Sequence, residues 1–485
     1  MNLEGLFATK SVDRLREHAQ AEHGLRRSLT ALDLVMLGIG AIIGTGIFVL
    51  TGTAAAKNAG PGVALSFTVA GVASAFAGLC YSEMASMIPV AGSAYTYSYA
   101  TMGELVAWII GWDLILEYLV SAAAVSVGWS GYVVAFVRDS FGIDLPRAFT
   151  NAPVVWQEDH FQSTGAYVNI PAAVIVLAVT ALLVRGVKES ARFNTVIVFV
   201  KVAVVLLFIA FAARFVNPGN WHPFVPSNTG QFGHYGVSGV LQGATKVFFA
   251  YIGFDAVSTA AQETRNPQKD LPAGILGSLG ICTVLYIAVS LILTGVVSYT
   301  KLDVPHPMAV GVEATGQLWL ATAVEVGAIA GLSSVMLVML LGQPRIFFAM
   351  AHDGLFPAFA AKIHPRFGTP YVTTIITGLV CAVAGGLLPI DILAELTSIG
   401  TLFAFVLVCL GVMILRLRRP GLARTFKVPG GPFLVPILGA STSAVLMYTA
   451  TTATIVRLFV WMAIGLFVYA TYGWKHSKMR AHTPS

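Results

Sequence analysis

Runs of apolar residues, each long enough to form a helix of about thirty ångströms, alternate along the chain with short stretches of charge, Gly and Pro. A helix needs roughly 20 apolar residues to cross the hydrocarbon core of a bilayer. The pattern predicts twelve such spans, near 31–56, 63–87, 104–136, 168–185, 192–216, 237–261, 272–298, 319–350, 371–389, 394–415, 433–450 and 453–474. Runs such as Val196–Phe215 and Ile275–Val297 are too long and too frequent for the buried helices of a soluble protein. The predicted fold is therefore an all-α polytopic membrane protein of about 12 transmembrane helices. A polar insert at 138–167 interrupts the rhythm before the fourth span, and its residues suggest no function. The first ~30 residues are polar and mixed in charge, without the short apolar core of a cleavable signal. They predict a solvated tail with helical character, and a first span that is retained.

Composition agrees. Charged residues are 11% and hydrophobic residues 56% of the 485, against about a quarter charged in an ordinary soluble chain. The net charge of +6 follows from topology rather than from a nucleic-acid partner. With the N-terminus placed in the cytoplasm, 21 of the 29 Lys and Arg fall in cytoplasmic segments, six fall outside, and Lys201 and Lys246 lie within spans. Positive loops stay inside, so both termini are expected to be cytoplasmic, with the protein in the plasma (inner) membrane. Cys80, Cys282, Cys381 and Cys409 all sit in apolar runs without a CxxC pair, and read as small packing residues.

Two spans carry sequence that a continuous helix would avoid. The first contains Gly38, Gly40, Gly44 and Gly46, four glycines in nine residues, each costing roughly 1 kcal/mol against Ala. The sixth carries Phe248-Phe249-Ala250-Tyr251-Ile252-Gly253-Phe254-Asp255. In lipid, a loosened backbone is tolerated only where it lines a polar cavity. Small-residue helix packing is the structural alternative. Breaks five spans apart point instead to a transporter with inverted repeats and a midplane site. Residues 31–216 would form the first repeat and 237–415 the second, followed by spans 11 and 12 at 433–474 and a cytoplasmic tail at 475–485. Free N–H groups at a half-helix N-terminus attract a carboxylate, and free carbonyls at a C-terminus attract an ammonium. The predicted site for a zwitterion is the N–H groups around Gly44, Thr45 and Gly46, facing carbonyls near Ile42, Phe249, Ala250 and Ile252, with Tyr251 in the same tract.

At these residues the chain resembles the amino acid–polyamine–organocation transporter superfamily, and within it the cationic amino acid transporter family. The resemblance rests on GIGAIIGTGIFVLTG at 38–52, PVAGSAYTYSYATMGELVAWIIGWDLILEY at 89–118 and FFAYIGFDAVSTAAQETRNPQKDLP at 248–272. PRIFFAMAHDGLFP at 344–357 and TSIGTLFAF at 397–405 add to it. It implies a LeuT-like fold of 5+5 inverted repeats with broken helices 1 and 6, working by alternating access with proton coupling or exchange. Twelve spans look like the bacterial members.

Ionisable residues within the membrane are functional by default. Lys201 lies near the middle of the fifth span, and burial makes it a candidate proton carrier whose reach to the first break would couple protonation to substrate. Proton-coupled members of the family carry a lysine at this place. The alternative is a structural lysine standing in for a sodium ion. Glu117, on the face it shares with Asp113 one turn earlier, is expected to meet a cationic side chain, or else to join helices. Asp255 reads as a tether of the broken helix, while Glu83 and Glu325 are structural or gating. Met339, with Ser333 and Ser334 nearby on the eighth span, would shrink the side-chain pocket, or simply pack. That leaves cationic and small neutral amino acids such as alanine as substrates. No HExxH, GxSxG or P-loop occurs, so neither an enzyme, a cofactor nor ATP as energy source is expected. The partners expected are an amino acid, protons and lipid. The main alternative is an obligate amino acid or polyamine exchanger without net proton coupling.

Overall fold

A computed structural model describes residues 6–12, 29–88, 93–157, 160–186 and 190–481. Arg14, Arg16, Arg26 and Arg27 of the expected helical tail, Lys188 of the charge count, and Pro89-Val90-Ala91-Gly92 of one quoted tract lie outside these residues.

Helix α1 (Ala31–Ile42) starts where its sequence predicts. Thr30 accepts a hydrogen bond from the Asp33 amide, and the Asp33 carboxylate accepts from the Thr30 amide, so two otherwise orphaned donors are satisfied. It stops at Ile43, which is extended. The chain resumes helical turns over Gly46–Leu50, Thr51–Ala54 and Ala55–Ala59. It then reverses through Gly60-Pro61-Gly62, where Gly60 takes a φ of +59° that suits glycine. Helix α2 (Val63–Met87) follows, then α3 (Ser93–Thr101) and α4 (Glu104–Ile115). A wide turn, Leu116–Val120, joins α4 to α5 (Ser121–Phe141). After the insert come α6 (Ile170–Arg185) and α7 (Ser190–Ala212). Helix α8 (Gly236–Val247) tightens into a single turn over Phe248–Tyr251 and ends at extended Ile252. Then come α9 (Pro267–Val296), the short α10 (Pro307–Glu313), α11 (Leu318–His352), α12 (Tyr371–Leu387), α13 (Ile390–Arg418), α14 (Leu434–Tyr448) and α15 (Thr452–Val468).

Among the described residues, seven continuous helical segments are long and apolar enough to cross a membrane, and four shorter apolar helices accompany them. The two shapes come from the breaks and the Gly-Pro-Gly turn as much as from hydropathy. The predicted first span divides at 43–45 and the sixth at 252–255. The molecule is not purely helical, because the insert folds into a hairpin of β1 (Val154–Gln157) and β2 (His160–Ser163), with Trp156 opposite Phe161. The guanidinium of Arg457 lies 4.5 Å from the centre of the Trp156 ring, which fastens the hairpin to α15.

Helix α9 lies along α2, α11 along α5, α12 along α6, and the Gly46–Leu50 segment meets the Phe248–Tyr251 turn. The two breaks therefore share one level of a single continuous apolar core.

Candidate functional site

The two breaks touch. A Cβ placed on Gly46 would overlap the backbone of Ala250, so only glycine lets the first broken segment lie against the second. Gly253 has a φ of +111° and packs against the Ala41 carbonyl, so here too the backbone demands glycine. The remaining glycines of the first motif have different reasons. Gly38 sits against Ser278 and Val257 as helix packing, and a Cβ on Gly44 would come 3.0 Å from a Val335 methyl on α11.

Breaking α1 at Ile43 frees backbone groups on both sides, and the structure accounts for most of them. The Lys201 ammonium, wholly buried on α7, donates to the carbonyls of Gly40 and, at 2.9 Å, Ile43, and to Ser334 Oγ at 3.3 Å. These carbonyls belong to the C-terminal end of α1, where a cation is favoured by the helix dipole and by the missing intrahelical donors. The Tyr286 hydroxyl on α9 lies 2.9 Å from both the Ile42 and the Ala250 carbonyl oxygens. One phenol thus bridges the two breaks at the carbonyls expected to receive an amino group. Beyond the break, the Gly44 carbonyl accepts from the amides of Ile47 and Phe48. Tyr132 donates to the Phe48 carbonyl at 2.6 Å, and Tyr251 donates to Phe67 at 2.8 Å.

On the amide side the account does not close. Among the described residues, the N–H groups of Gly44, Thr45 and Gly46 donate to no backbone carbonyl. Thr45, 1% exposed, keeps a hydroxyl with no partner. Buried donors are nearly always satisfied, and a cluster at the start of a helical segment suits an anion with two oxygens. Phe249, Ala250 and Ile252 of the second break and Met339 of α11 are buried apolar side chains.

The carboxylates lie to one side of it. Asp255 accepts from Ser93 at 3.0 Å and from Tyr118 at 2.9 Å, tying the chain after the second break to α3 and to the wide turn after α4. Glu117, on that wide turn, neighbours Asp255 and Thr401, and its Oε2 has no partner. Asp113 is buried with neither oxygen paired. Glu83 is a structural anchor, held by Arg416, by Arg424 at 3.2 Å and by the Val428 amide at 2.8 Å.

Ion pairs close the two ends. Asp391, opening α13, meets Lys57 at 3.1 Å and Lys246 at 3.4 Å, and Lys57 also meets Asp303 at 3.2 Å. One carboxylate thus joins the part of the first broken helix beyond its break to α8. At the opposite end Asp353 takes Lys10 and, at 2.6 Å, the Tyr95 hydroxyl. Glu104 takes Arg480 at 3.1 Å, Tyr469 at 2.9 Å and Ser477.

Sequence reasoning reached the two breaks and Lys201 but missed Tyr286 and Asp391. A tyrosine within the apolar run Cys282-Thr283-Val284-Leu285-Tyr286 was the available signal, because a buried phenol needs a partner.

Comparison with known proteins fits this architecture. The family described as amino acid permease matches residues 29–474. The chain is 50% identical over 98% of its length to the branched-chain amino acid permease of Bacillus subtilis, covering 99% of that protein. It is 46% identical to the methylthioribose transporter of the same organism, again over 98% of the chain and 99% of the relative. It is 39% identical to the vacuolar cationic amino acid transporter 4 of Arabidopsis thaliana, over 82% of the chain and 64% of the relative. A multi-pass helical protein with two touching helix breaks, matched from before its first helix to its last, this chain belongs to the amino acid permease family.

Proposed function

We propose that the protein is a secondary active transporter that takes up L-amino acids by alternating access, driven by protons. The observation that carries the reading is the set of unpaired amides and the unpaired hydroxyl at Gly44, Thr45 and Gly46, beside carbonyls of both breaks bridged by Tyr286. The substrate carboxylate binds the amides. Its ammonium binds the carbonyls of Ile42, Phe249, Ala250 and Ile252, displacing or joining the Tyr286 hydroxyl. Recognition through backbone reads the amino acid common to all substrates, and the side chain is left to the apolar wall that includes Met339.

Lys201 is the proposed coupling group. Charged, it holds the C-terminal end of α1 by two carbonyls; neutral, it offers fewer donors and loosens that hold. A proton shifts the access equilibrium only through such a difference. The repeat reading is supported by the pairwise packing of α2 with α9, α5 with α11 and α6 with α12; the placement of about twelve spans in the cytoplasmic membrane with both termini inside rests on the Lys and Arg distribution.

For the side chain we propose neutral aliphatic amino acids, from alanine to the branched-chain set, ahead of cationic ones. Glu117, which would serve a cationic side chain, faces Asp255 and Thr401, and Met339 is 1% exposed in an apolar setting. The B. subtilis branched-chain permease gives this reading further support. The test is uptake of labelled alanine, leucine and arginine by purified protein in liposomes, with and without an inward proton gradient. Accumulation of alanine and leucine above equilibrium only with the gradient is the expected result. Gradient-independent uptake that requires internal amino acid would make the protein an obligate exchanger instead.

A further inference from the structure

Opposite the end that holds Lys10 and Arg480, three carboxylates from three elements converge. Asp139 lies in the last turn of α5, Glu313 is the last residue of α10, and Glu325 is in the second turn of α11. One oxygen from each lies within 4.8 Å of the others. Asp139 and Glu313 are solvent-accessible and share Arg138, which donates to Asp139 at 2.6 and 3.1 Å and to Glu313 at 3.3 Å. Glu325 is different. It is 0% exposed, and its oxygens have no hydrogen-bond partner outside the cluster, where its one neighbour in hydrogen-bond reach is the Asp139 carboxyl. A buried carboxylate turned toward two others is costly unless a proton neutralises it or a cation accompanies it.

We propose that Asp139, Glu313 and Glu325 form a binding site for a divalent metal ion that fastens α10 to α5 and α11. Three carboxylates and one guanidinium leave two negative charges, which one divalent ion neutralises and one proton does not. Asp139 and Glu313 both lie at helix C-termini, where the dipole opposes an anion and welcomes a cation. The donors are all oxygen, and Asp139 and Glu313 keep free lone pairs beside those given to Arg138. Such a set takes hard ions, Ca²⁺, Mg²⁺ or Mn²⁺, rather than Zn²⁺. An open, partly solvated site of this kind binds at about 10⁻⁴ to 10⁻³ M.

The placement gives the ion a consequence. Helix α10 packs on α11 and on the outer part of the first broken helix, and a Cβ on Gly52 would strike Pro307 and the Leu302 carbonyl. An ion that ties α10 down therefore holds the cover over that broken segment. Under the orientation proposed above, this is the face toward the medium. Divalent ions there slow opening without touching the substrate.

The experiment uses the full chain in lipid nanodiscs at neutral pH, stripped of metal and titrated with Mn²⁺ by electron paramagnetic resonance. Wild type is expected to bind one more Mn²⁺ per chain than Glu325→Gln or Glu313→Gln, with displacement by millimolar Ca²⁺ or Mg²⁺. Ca²⁺ should raise the unfolding midpoint of wild type and leave both variants unmoved. Glu313 is exposed, so Glu313→Gln carries the test if Glu325→Gln does not fold. Equal Mn²⁺ counts in wild type and Glu313→Gln would overturn the proposal. So would a wild type that binds no Mn²⁺ but whose unfolding midpoint varies with pH in a way that Glu325→Gln removes, which would make Glu325 a proton site.

Discussion

Single residues at this site have distinguishable jobs, and substitutions separate them. At Gly44 the competing demands are packing against Val335 and free access to the neighbouring amides. Gly44→Ala is expected to weaken amino acid binding by about 100-fold, the loss of one to two charge-assisted hydrogen bonds at roughly 1.5–3 kcal/mol each. Adding Val335→Ala removes the steric conflict. Binding measured by isothermal titration should stay weak in the double variant if Gly44 serves the ligand, and recover if it serves only packing. Lys201 combines structure with coupling. Lys201→Ala strands the Gly40 and Ile43 carbonyls in the core, at about 1–3 kcal/mol for each unsatisfied group, so the unfolding midpoint should fall. Beyond that loss, uptake against external pH should become flat, while binding measured separately survives in part. A variant that keeps full gradient-driven accumulation would assign Lys201 to structure alone and move the proton to Glu117 or Asp255. That Lys201 mattered was legible, since a charge in the middle of an apolar run is costly and persists only where it has a partner or a function. Its reach to the first break was legible too; its third acceptor, Ser334 on α11, was not, because that hydroxyl lies 133 residues away in sequence.

At the level of elements, the broken helices are held rather than loose. The first break is gripped by α7 through Lys201 and by α9 through Tyr286, and the second by α9 and, past Gly253, by α3 and the wide turn through Asp255. Removing one hydroxyl tests whether the bridge between the breaks is part of the site. Tyr286→Phe keeps the ring packed against Phe67 and Tyr251 and deletes only the hydrogen bonds to Ile42 and Ala250. Substrate affinity should fall about tenfold, near 1.4 kcal/mol, with the unfolding midpoint lowered by a few degrees. An unchanged affinity beside a lowered midpoint would make the phenol a structural brace. The glycine pattern announced both breaks, but it did not say which glycine did what. Gly46 and Gly253 are fixed by the contact of two backbones, and Gly38 by a neighbouring helix.

Over the whole molecule, the proposed orientation predicts that the β-hairpin end and the end holding Lys10 and Arg480 face opposite sides of the membrane. All four native cysteines are buried, so a membrane-impermeant maleimide has little background to label. Ile143→Cys, beyond α5, should be labelled from outside intact cells, and Gly421→Cys, beyond α13, only after the membrane is opened. Both positions are exposed. Labelling of Gly421→Cys in intact cells would reverse the orientation derived from the Lys and Arg distribution.

Sequence by itself determined the apolar spans, the places where two of them break, the buried lysine and the family, because each is written in a local run: hydropathy over some twenty residues, glycines within a turn, a charge where none is tolerated. Helix α2 begins and ends at the predicted residues 63 and 87, whereas α9 begins at Pro267 and α13 at Ile390, four to five residues before the predicted limits. The hairpin in the insert was not legible, since its short strands gain their hold from Arg457 far along the chain. Only the tertiary structure decided the pairing of other groups distant in sequence: Tyr286 across both breaks, Lys201 on Ser334, Asp391 between Lys57 and Lys246, and Glu325 among the carboxylates at the far end. The reason is physical. Hydropathy tells each helix only that it must be buried, while hydrogen bonds and ion pairs in a low-dielectric core depend on ångström distances that exist only after the helices have packed.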